Sequence, residues 1–253
     1  MIVPSTMSES GRTAIVTGGG KRVGEAIVRA LLDDGWTVVA HVHHDRDGVP
    51  DGAIKVVADL ADTDCAERIF AAAEGPVRLL VNNAARFAFD GFGKMSATEF
   101  DAHMRINTRA PMLLIDQLAR QHGGGPLKKR EGALAVNLLD AKLAAPNPDF
   151  LSYTLSKYAL AGLTEVAARA LAARGIRVNA IAPALMLPSG EQGEENFAAV
   201  YDLNPLRQGV EVADVIAALR FLIDSPTMTG QTLVLDGGQR FMGLGRDVQF
   251  LES

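Results

Sequence analysis

Short apolar runs alternate with amphipathic stretches along most of the chain. Thr13–Thr17 (TAIVT) is apolar and leads into glycines, the pattern of a buried strand. Gly24–Asp34 follows with Ala26, Ile27, Ala30 and Leu31 on one helical face. The same alternation predicts strands at Thr37–Val42, Ala53–Ala58, Val77–Val81, Gly132–Leu138, Ile176–Ile181 and Thr232–Leu235. Helices are predicted at Thr63–Ala73, Ala97–Gln121, Phe150–Ala173 and Val212–Ile223. Pro111 has no N–H, so it marks a kink or boundary within the third of these helices in the chain. Strands that alternate with helices pair in parallel. The fold class is therefore α/β: a central parallel sheet, doubly wound, with helices on both faces. Residues 11–253 form one domain, and Met1–Ser10 reads as a flexible extension within which Met7 offers an alternative start. Two stretches read as loops. Gly123–Glu131 holds three glycines and a basic trio, and suits a solvated turn. Residues 185–206 hold Pro188, Pro205 and an acidic patch after the sixth strand, where open α/β sheets bind ligands, and read as a lid.

Composition narrows the class. The chain has 253 residues, 48% of them hydrophobic, enough for one sizeable core. A net charge of −5 implies no basic face, so a nucleic acid partner is not expected. No apolar run reaches the roughly 18–20 residues that span a bilayer, so no membrane partner is expected either. The single cysteine, Cys65, excludes an internal disulfide, suits a reducing compartment and points to the cytoplasm. It reads as a helix residue without special chemistry, and no metal site is expected.

The segment Thr17-Gly18-Gly19-Gly20-Lys21-Arg22-Val23-Gly24 joins the first strand to the first helix. Glycines there allow a tight turn, and the helix N-terminus offers unpaired N–H groups to a pyrophosphate. A glycine-rich turn alone is weak evidence. Inside a βαβ unit it points to a Rossmann-type dinucleotide site. The end of the second strand reads His41-Val42-His43-His44-Asp45-Arg46. Lys21, Arg22 and Arg46 would neutralise a 2′-phosphate, and His43 or His44 would donate hydrogen bonds to it. NADPH/NADP is the expected cofactor. Asp45 opposes this, because an acid near that position would bind the ribose of NAD.

Tyr153-Thr154-Leu155-Ser156-Lys157 places a tyrosine and a lysine four apart, on one helix face. An ammonium there should favour the ionised phenol and lower its pKa. Alone, such a pair is ordinary. Together with Asp59-Leu60, Asn82-Asn83-Ala84, Asn107, Arg177-Val178-Asn179 with Pro183, and Asp236-Gly237-Gly238, the chain resembles the short-chain dehydrogenase/reductase family over nearly its whole length. That resemblance implies roles. Gly18, Lys21, Arg22, Val23, His43, His44, Asp59, Leu60, Asn83, Lys157 and Pro183 would bind the cofactor. Tyr153 would exchange the proton, Lys157 would hold the nicotinamide ribose and tune Tyr153, and Asn107 would support a water-linked relay. A homo-oligomer, a tetramer packed through the long helices, is implied as well.

Two departures sharpen the reading. Arg22 stands where the family has its third loop glycine, and Asp140 stands where it has a catalytic serine. Both are similar to pteridine reductases and dihydromonapterin reductases, as are His41-Val42-His43 and Asn83-Ala84-Ala85-Arg86-Phe87. In that subgroup the arginine touches cofactor and pterin, and an aromatic at Phe87 stacks on the pterin. Ala85 removes a hydroxyl often found there, and Arg86 is an unexpected charge. Arg22, Phe87, Asp140 and Tyr153 thus form the expected substrate site. Chemistry points the same way: a carboxylate at Asp140 would repel the oxyanion of a reduced ketone, whereas an imine needs a proton on nitrogen. The expected activity is NADPH-dependent reduction of a dihydropterin C=N bond. The alternatives are carbonyl reduction, for example of a ketoacyl thioester or small ketone, and a nucleotide sensor without catalysis. Tyr153, Lys157 and Asn107 argue against the sensor.

Overall fold

The computed structural model describes residues 11–122, 132–188 and 193–251. Seven strands form one parallel sheet: β1 (Thr13–Thr17), β2 (Thr37–Val42), β3 (Ile54–Val57), β4 (Val77–Asn82), β5 (Ala133–Leu138), β6 (Ile176–Pro183) and β7 (Thr232–Leu235). Their order is β3-β2-β1-β4-β5-β6-β7. Chain order therefore reverses between β1 and β4, and a crevice opens where their carboxyl ends diverge. The central strands are buried on both faces, which explains their continuous apolar runs. Side chains of one strand alternate between two cores. Ile15 packs with α2 (Cys65–Ala71), α4 (Ala110–Gln121) and α5 (Leu151–Leu171). Ala14 and Val16 pack with α1 (Arg22–Asp33) and α7 (Val212–Asp224) on the opposite face.

The predicted helix at 97–121 is a continuous helical path with a wider turn inside it. α3 (Ala97–Met104) runs into a π-helical segment, Arg105–Arg109, and then into α4. Pro111, in the first turn of α4, has no N–H to return to the carbonyl of Asn107. The backbone widens just before it, and the Ala110 N–H reaches the Arg105 carbonyl. Wider turns of this kind often mark functional positions.

The segment 185–206 departs from the expected loop. It carries a short helix, α6 (Glu194–Val200), with Glu194 and Glu195 in its first turn. Acidic side chains there favour the positive end of the helix dipole, a signal hidden among the prolines. The expected N-terminal extension and the turn at 123–131 lie outside the described residues, as do residues 189–192 of the expected lid. Among the described residues, no helix is long and apolar enough to cross a membrane. Cys65 is a buried residue of α2 with a free thiol.

Candidate active site

The crevice between β1 and β4 is tied together by side chains. The Thr17 hydroxyl oxygen accepts the backbone N–H groups of Asn83 and Ala84, each at 3.0 Å. The Asn83 amide donates to the Thr17 carbonyl at 2.9 Å. Gly18 turns the chain with φ of +65°, a conformation that suits glycine. At Gly24, a Cβ would lie 2.0 Å from the Gly18 carbonyl oxygen, so only glycine lets the helix start this close to the loop. Lys21 occupies the N-cap of α1 without a capping side-chain hydrogen bond, which leaves the first turn open for an anion.

Sequence reasoning gave His41 no role, because its side-chain partners come from the ends of two other strands. The Gly18 N–H donates to its Nδ1 at 3.2 Å, and its Nε2 contacts the Ala58 carbonyl at 3.0 Å. Burial lowers its pKa and keeps the ring neutral, with the proton on Nε2 for Ala58. His41 therefore couples the glycine loop to the end of β3, next to Asp59.

Arg22 has φ of +54°, the left-handed region that glycine tolerates and arginine does not favour. Its guanidinium donates to the Pro188 carbonyl at 2.8 Å. We expect Arg22→Gly to raise thermal stability, because left-handed backbone costs a non-glycine residue on the order of 1 kcal/mol. The same change should weaken dinucleotide binding. Arg22→Ala should lose the affinity and keep the strain. Melting curves and a cofactor titration on both variants test this; an Arg22→Gly protein that melts no later than Arg22→Ala refutes the strain argument.

At the end of β2, His43 and His44 stack at 4.1 Å, and His43 Nε2 lies 3.9 Å from the Asp59 carboxylate. Asp45 turns away to Lys55, whose ammonium lies 3.3 Å from its carboxylate. Leu60 is buried in the core beside α2, so its side chain does not face a ligand. Pro183 is a buried residue of β6, paired with Leu235.

The reactive groups converge beyond the ends of β5 and β6. The Tyr153 hydroxyl donates to the Asp140 carboxylate at 2.9 Å. Asp140 also accepts the Lys142 backbone N–H at 2.9 Å, which caps a single 3₁₀ turn, Ala141–Ala144. The Lys157 ammonium donates to the Leu138 carbonyl at 2.6 Å and lies 5.6 Å from the Tyr153 ring centre. The expected lowering of the tyrosine pKa is overturned. Burial pushes the Tyr153 phenol well above its ordinary value, and the negative charge of Asp140 adds to the effect. Burial also raises the Asp140 carboxyl and lowers Lys157 to about 8. A carboxylate one hydrogen bond from the phenol outweighs an ammonium that does not bond to it. The arrangement keeps the proton on the dyad, which suits a proton donor.

Asn107 sits within the π-helical segment. Its side chain accepts the Arg86 N–H at 2.7 Å and donates to the Arg86 carbonyl and the Ser156 hydroxyl, each at 2.9 Å. The side chain is thus a clamp on the loop after β4 and on α5. The unexpected charge of Arg86 is answered by Glu99, with nitrogen–oxygen distances of 2.6 and 2.8 Å. The clamped loop holds Phe87, whose ring meets the Tyr153 ring edge-on at 4.8 Å. Arg22, Phe87, Asp140 and Tyr153 share one cavity of about 540 Å³, with Lys21 and Val23 at its cofactor end. His43, His44, Asp59 and Asn83 do not line it; they lie just past the ends of β2, β3 and β4.

Comparison with known proteins identifies the family. A family model described as enoyl-(acyl carrier protein) reductase matches residues 20–240. L-xylulose reductase of Bos taurus is 33% identical over 240 residues, covering 90% of this chain and 96% of that protein. Carbonyl reductase [NADPH] 2 of Sus scrofa is 30% identical over 243 residues, covering 92% of this chain and 98% of that protein. The structure of FolM alternative dihydrofolate reductase 1 from Brucella suis, in complex with NADP, superposes with a TM-score of 0.80 at 33% identity. That match covers 93% of this chain and 97% of the other. With the Tyr-Lys pair, the glycine loop and the parallel sheet in place, the chain belongs to the short-chain dehydrogenase/reductase family.

Proposed function

We propose that this protein reduces the C=N bond of a dihydropterin with NADPH, giving a tetrahydropterin. The observation that carries the reading is the 2.9 Å hydrogen bond from Tyr153 to Asp140, a carboxylate in place of the family's serine. The structures of FolM alternative dihydrofolate reductase 1 from Brucella suis and Brucella canis, each in complex with NADP, support it. NADP(H) fits the residues present. The uncapped N-terminus of α1 and Gly18 suit the pyrophosphate, with Lys21, Arg22 and Val23 beside it. His43 and His44 suit a 2′-phosphate, Asp59 and the Leu60 backbone would border the adenine, and Asn83, Lys157 and Pro183 would lie along the rest of the cofactor.

Bound NADPH would supply a hydride to the imine carbon. The chain's own work is to deliver a proton to the imine nitrogen. Tyr153 gives its hydroxyl proton, and the Lys157 ammonium stabilises the negative charge that develops on its oxygen. Asp140, one hydrogen bond from the Tyr153 oxygen, would relay a proton taken up from solvent back to the phenoxide, a role helped by burial that raises its carboxyl above the ordinary range. The product nitrogen is neutral, so a carboxylate nearby carries no penalty. Phe87, in the cavity lining, would stack on a flat heterocycle.

A second reading is reduction of a hydroxylated ketone, supported by the L-xylulose reductase similarity. Exposed apolar side chains on α4 and α5, Met112, Leu155 and Val166, support the expected homo-tetramer. Steady-state oxidation of NADPH and NADH over a panel of dihydropterins and ketones tests the function. NADPH with a dihydropterin should give the highest kcat/KM. A wild type that ignores dihydropterins and reduces ketones well overturns the pterin assignment, and equal use of NADH overturns the cofactor preference.

A further inference from the structure

The C-terminal segment was silent in the sequence, yet it closes one side of the cavity. Asp247, Val248 and Gln249 line it together with Lys21 and Arg22. The segment is latched by one residue. Asp149 Oδ2 accepts both the Arg246 guanidinium at 2.8 Å and the Asp247 backbone N–H at 2.9 Å. Arg246 covers the Phe250 ring at 5.1 Å. Phe250 stacks on Phe150 at 5.9 Å, Phe150 stacks on Phe87 at 4.4 Å, and Phe87 meets Tyr153. A chain of aromatic contacts therefore connects the segment to the reactive hydroxyl. Such a latch fixes the Asp247 side chain relative to Tyr153.

We infer that Asp247, paired with Lys142, is a specificity-determining residue that binds hydroxyl groups on the part of the substrate remote from the reducible bond. The inference rests on the reading of this cavity as the substrate site, and it holds for a pterin or a ketose head alike. The charge argument runs through the pair. The Lys142 ammonium lies 3.3 Å from the Asp247 carboxylate, and its side chain is only 8% exposed. It also donates to the Asp149 carbonyl at 2.5 Å, so two of its three donors are directed to protein oxygens. An anionic substrate group would meet the carboxylate, and a cationic one would meet the ammonium. A hydroxyl suits both, because it donates to Asp247 and accepts from Lys142. A hydroxylated chain repeats that donor–acceptor pattern. Asp247 also contributes to raising the pKa of Tyr153 and of Asp140, so its charge is felt at the reactive dyad.

The test compares matched substrates with and without hydroxyls. The pterin pair is 7,8-dihydromonapterin against 6-methyl-7,8-dihydropterin, and the ketone pair is L-xylulose against 2-pentanone. Wild type should prefer the hydroxylated member of the pair it turns over. Asp247→Ala should raise the KM for that member about tenfold and leave the KM for the plain member within about twofold, as expected for loss of a hydrogen bond to a charged group. Asp247→Asn keeps an acceptor oxygen and should recover part of the loss. Affinity for NADP, read by titration, should not move in either variant. An equal KM increase for both members shows that Asp247 only shapes the wall and overturns the inference. A wild type with no preference for the hydroxylated member in either pair overturns it too. Preference confined to the ketone pair supports the inference while refuting the pterin reading.

Discussion

Tyr153→Phe should reduce turnover by about 10²–10⁴-fold, while NADPH affinity changes little. Phenylalanine keeps the ring edge against Phe87, so the packing at 4.8 Å survives and only the hydroxyl is lost. The hydroxyl is the group that reaches Asp140 and, in the proposed reaction, the substrate nitrogen. The pH dependence should match its role as an acid. Burial raises the pKa of both Asp140 and Tyr153, so each gives up its proton less readily than in water. Lys157, lowered by burial to about 8, is charged below that value and neutral above it. Its charge favours proton release from Tyr153. Reduction should therefore weaken as pH climbs through about 8, and Lys157→Met should flatten that limb and lower kcat throughout. The measurement is kcat/KM and kcat against pH for wild type and both variants. Near-normal turnover in Tyr153→Phe would remove the proton-donor mechanism.

Asp140→Ser should lose most dihydropterin reduction, also on the order of 10²–10⁴-fold, and gain trace ketone reduction. Serine keeps the fold in place, since its hydroxyl can still accept the Lys142 N–H that Asp140 now accepts at 2.9 Å. Two effects should then separate. Loss of the carboxyl removes the relay that returns a proton to Tyr153, which slows imine reduction. Loss of its charge removes the repulsion of an oxyanion and lets the tyrosine pKa fall toward its ordinary value, because Asp140 is the main contributor after burial. Asp140→Asn is the control: it keeps the shape and the N–H acceptor without the acid. NADP titration should be unchanged in both. Undiminished dihydropterin reduction in Asp140→Ser would show that Asp140 has no part in proton delivery.

The periodic pattern was enough for the sheet. Buried parallel strands need apolar side chains on both faces, so Thr13–Thr17 and Val77–Asn82 are visible as continuous runs. The Tyr153–Lys157 pair was equally visible, because helical spacing places the two residues on one face. Asp140 was legible only as an anomaly against a family pattern. Its hydrogen bond to Tyr153 spans 13 positions and depends on how the end of β5 meets the start of α5.

By itself, the sequence determined the fold class, the glycine loop and the pairing of Tyr153 with Lys157 on one helix face, since each rests on local spacing. Only the tertiary structure decided the protonation of Tyr153, because burial and the direction of its hydrogen bond belong to the packed site and outweigh the neighbouring lysine. The same holds for His41, whose partners Gly18 and Ala58 lie 23 and 17 positions away. It holds most of all for the C-terminal segment. Asp247 reaches Lys142 across 105 positions, and no local pattern marks a contact that forms only when the last turn of the chain packs on the aromatic wall. Periodicity reports which face of an element is buried. Charge state and long-range pairing follow from what the folded chain places opposite that face.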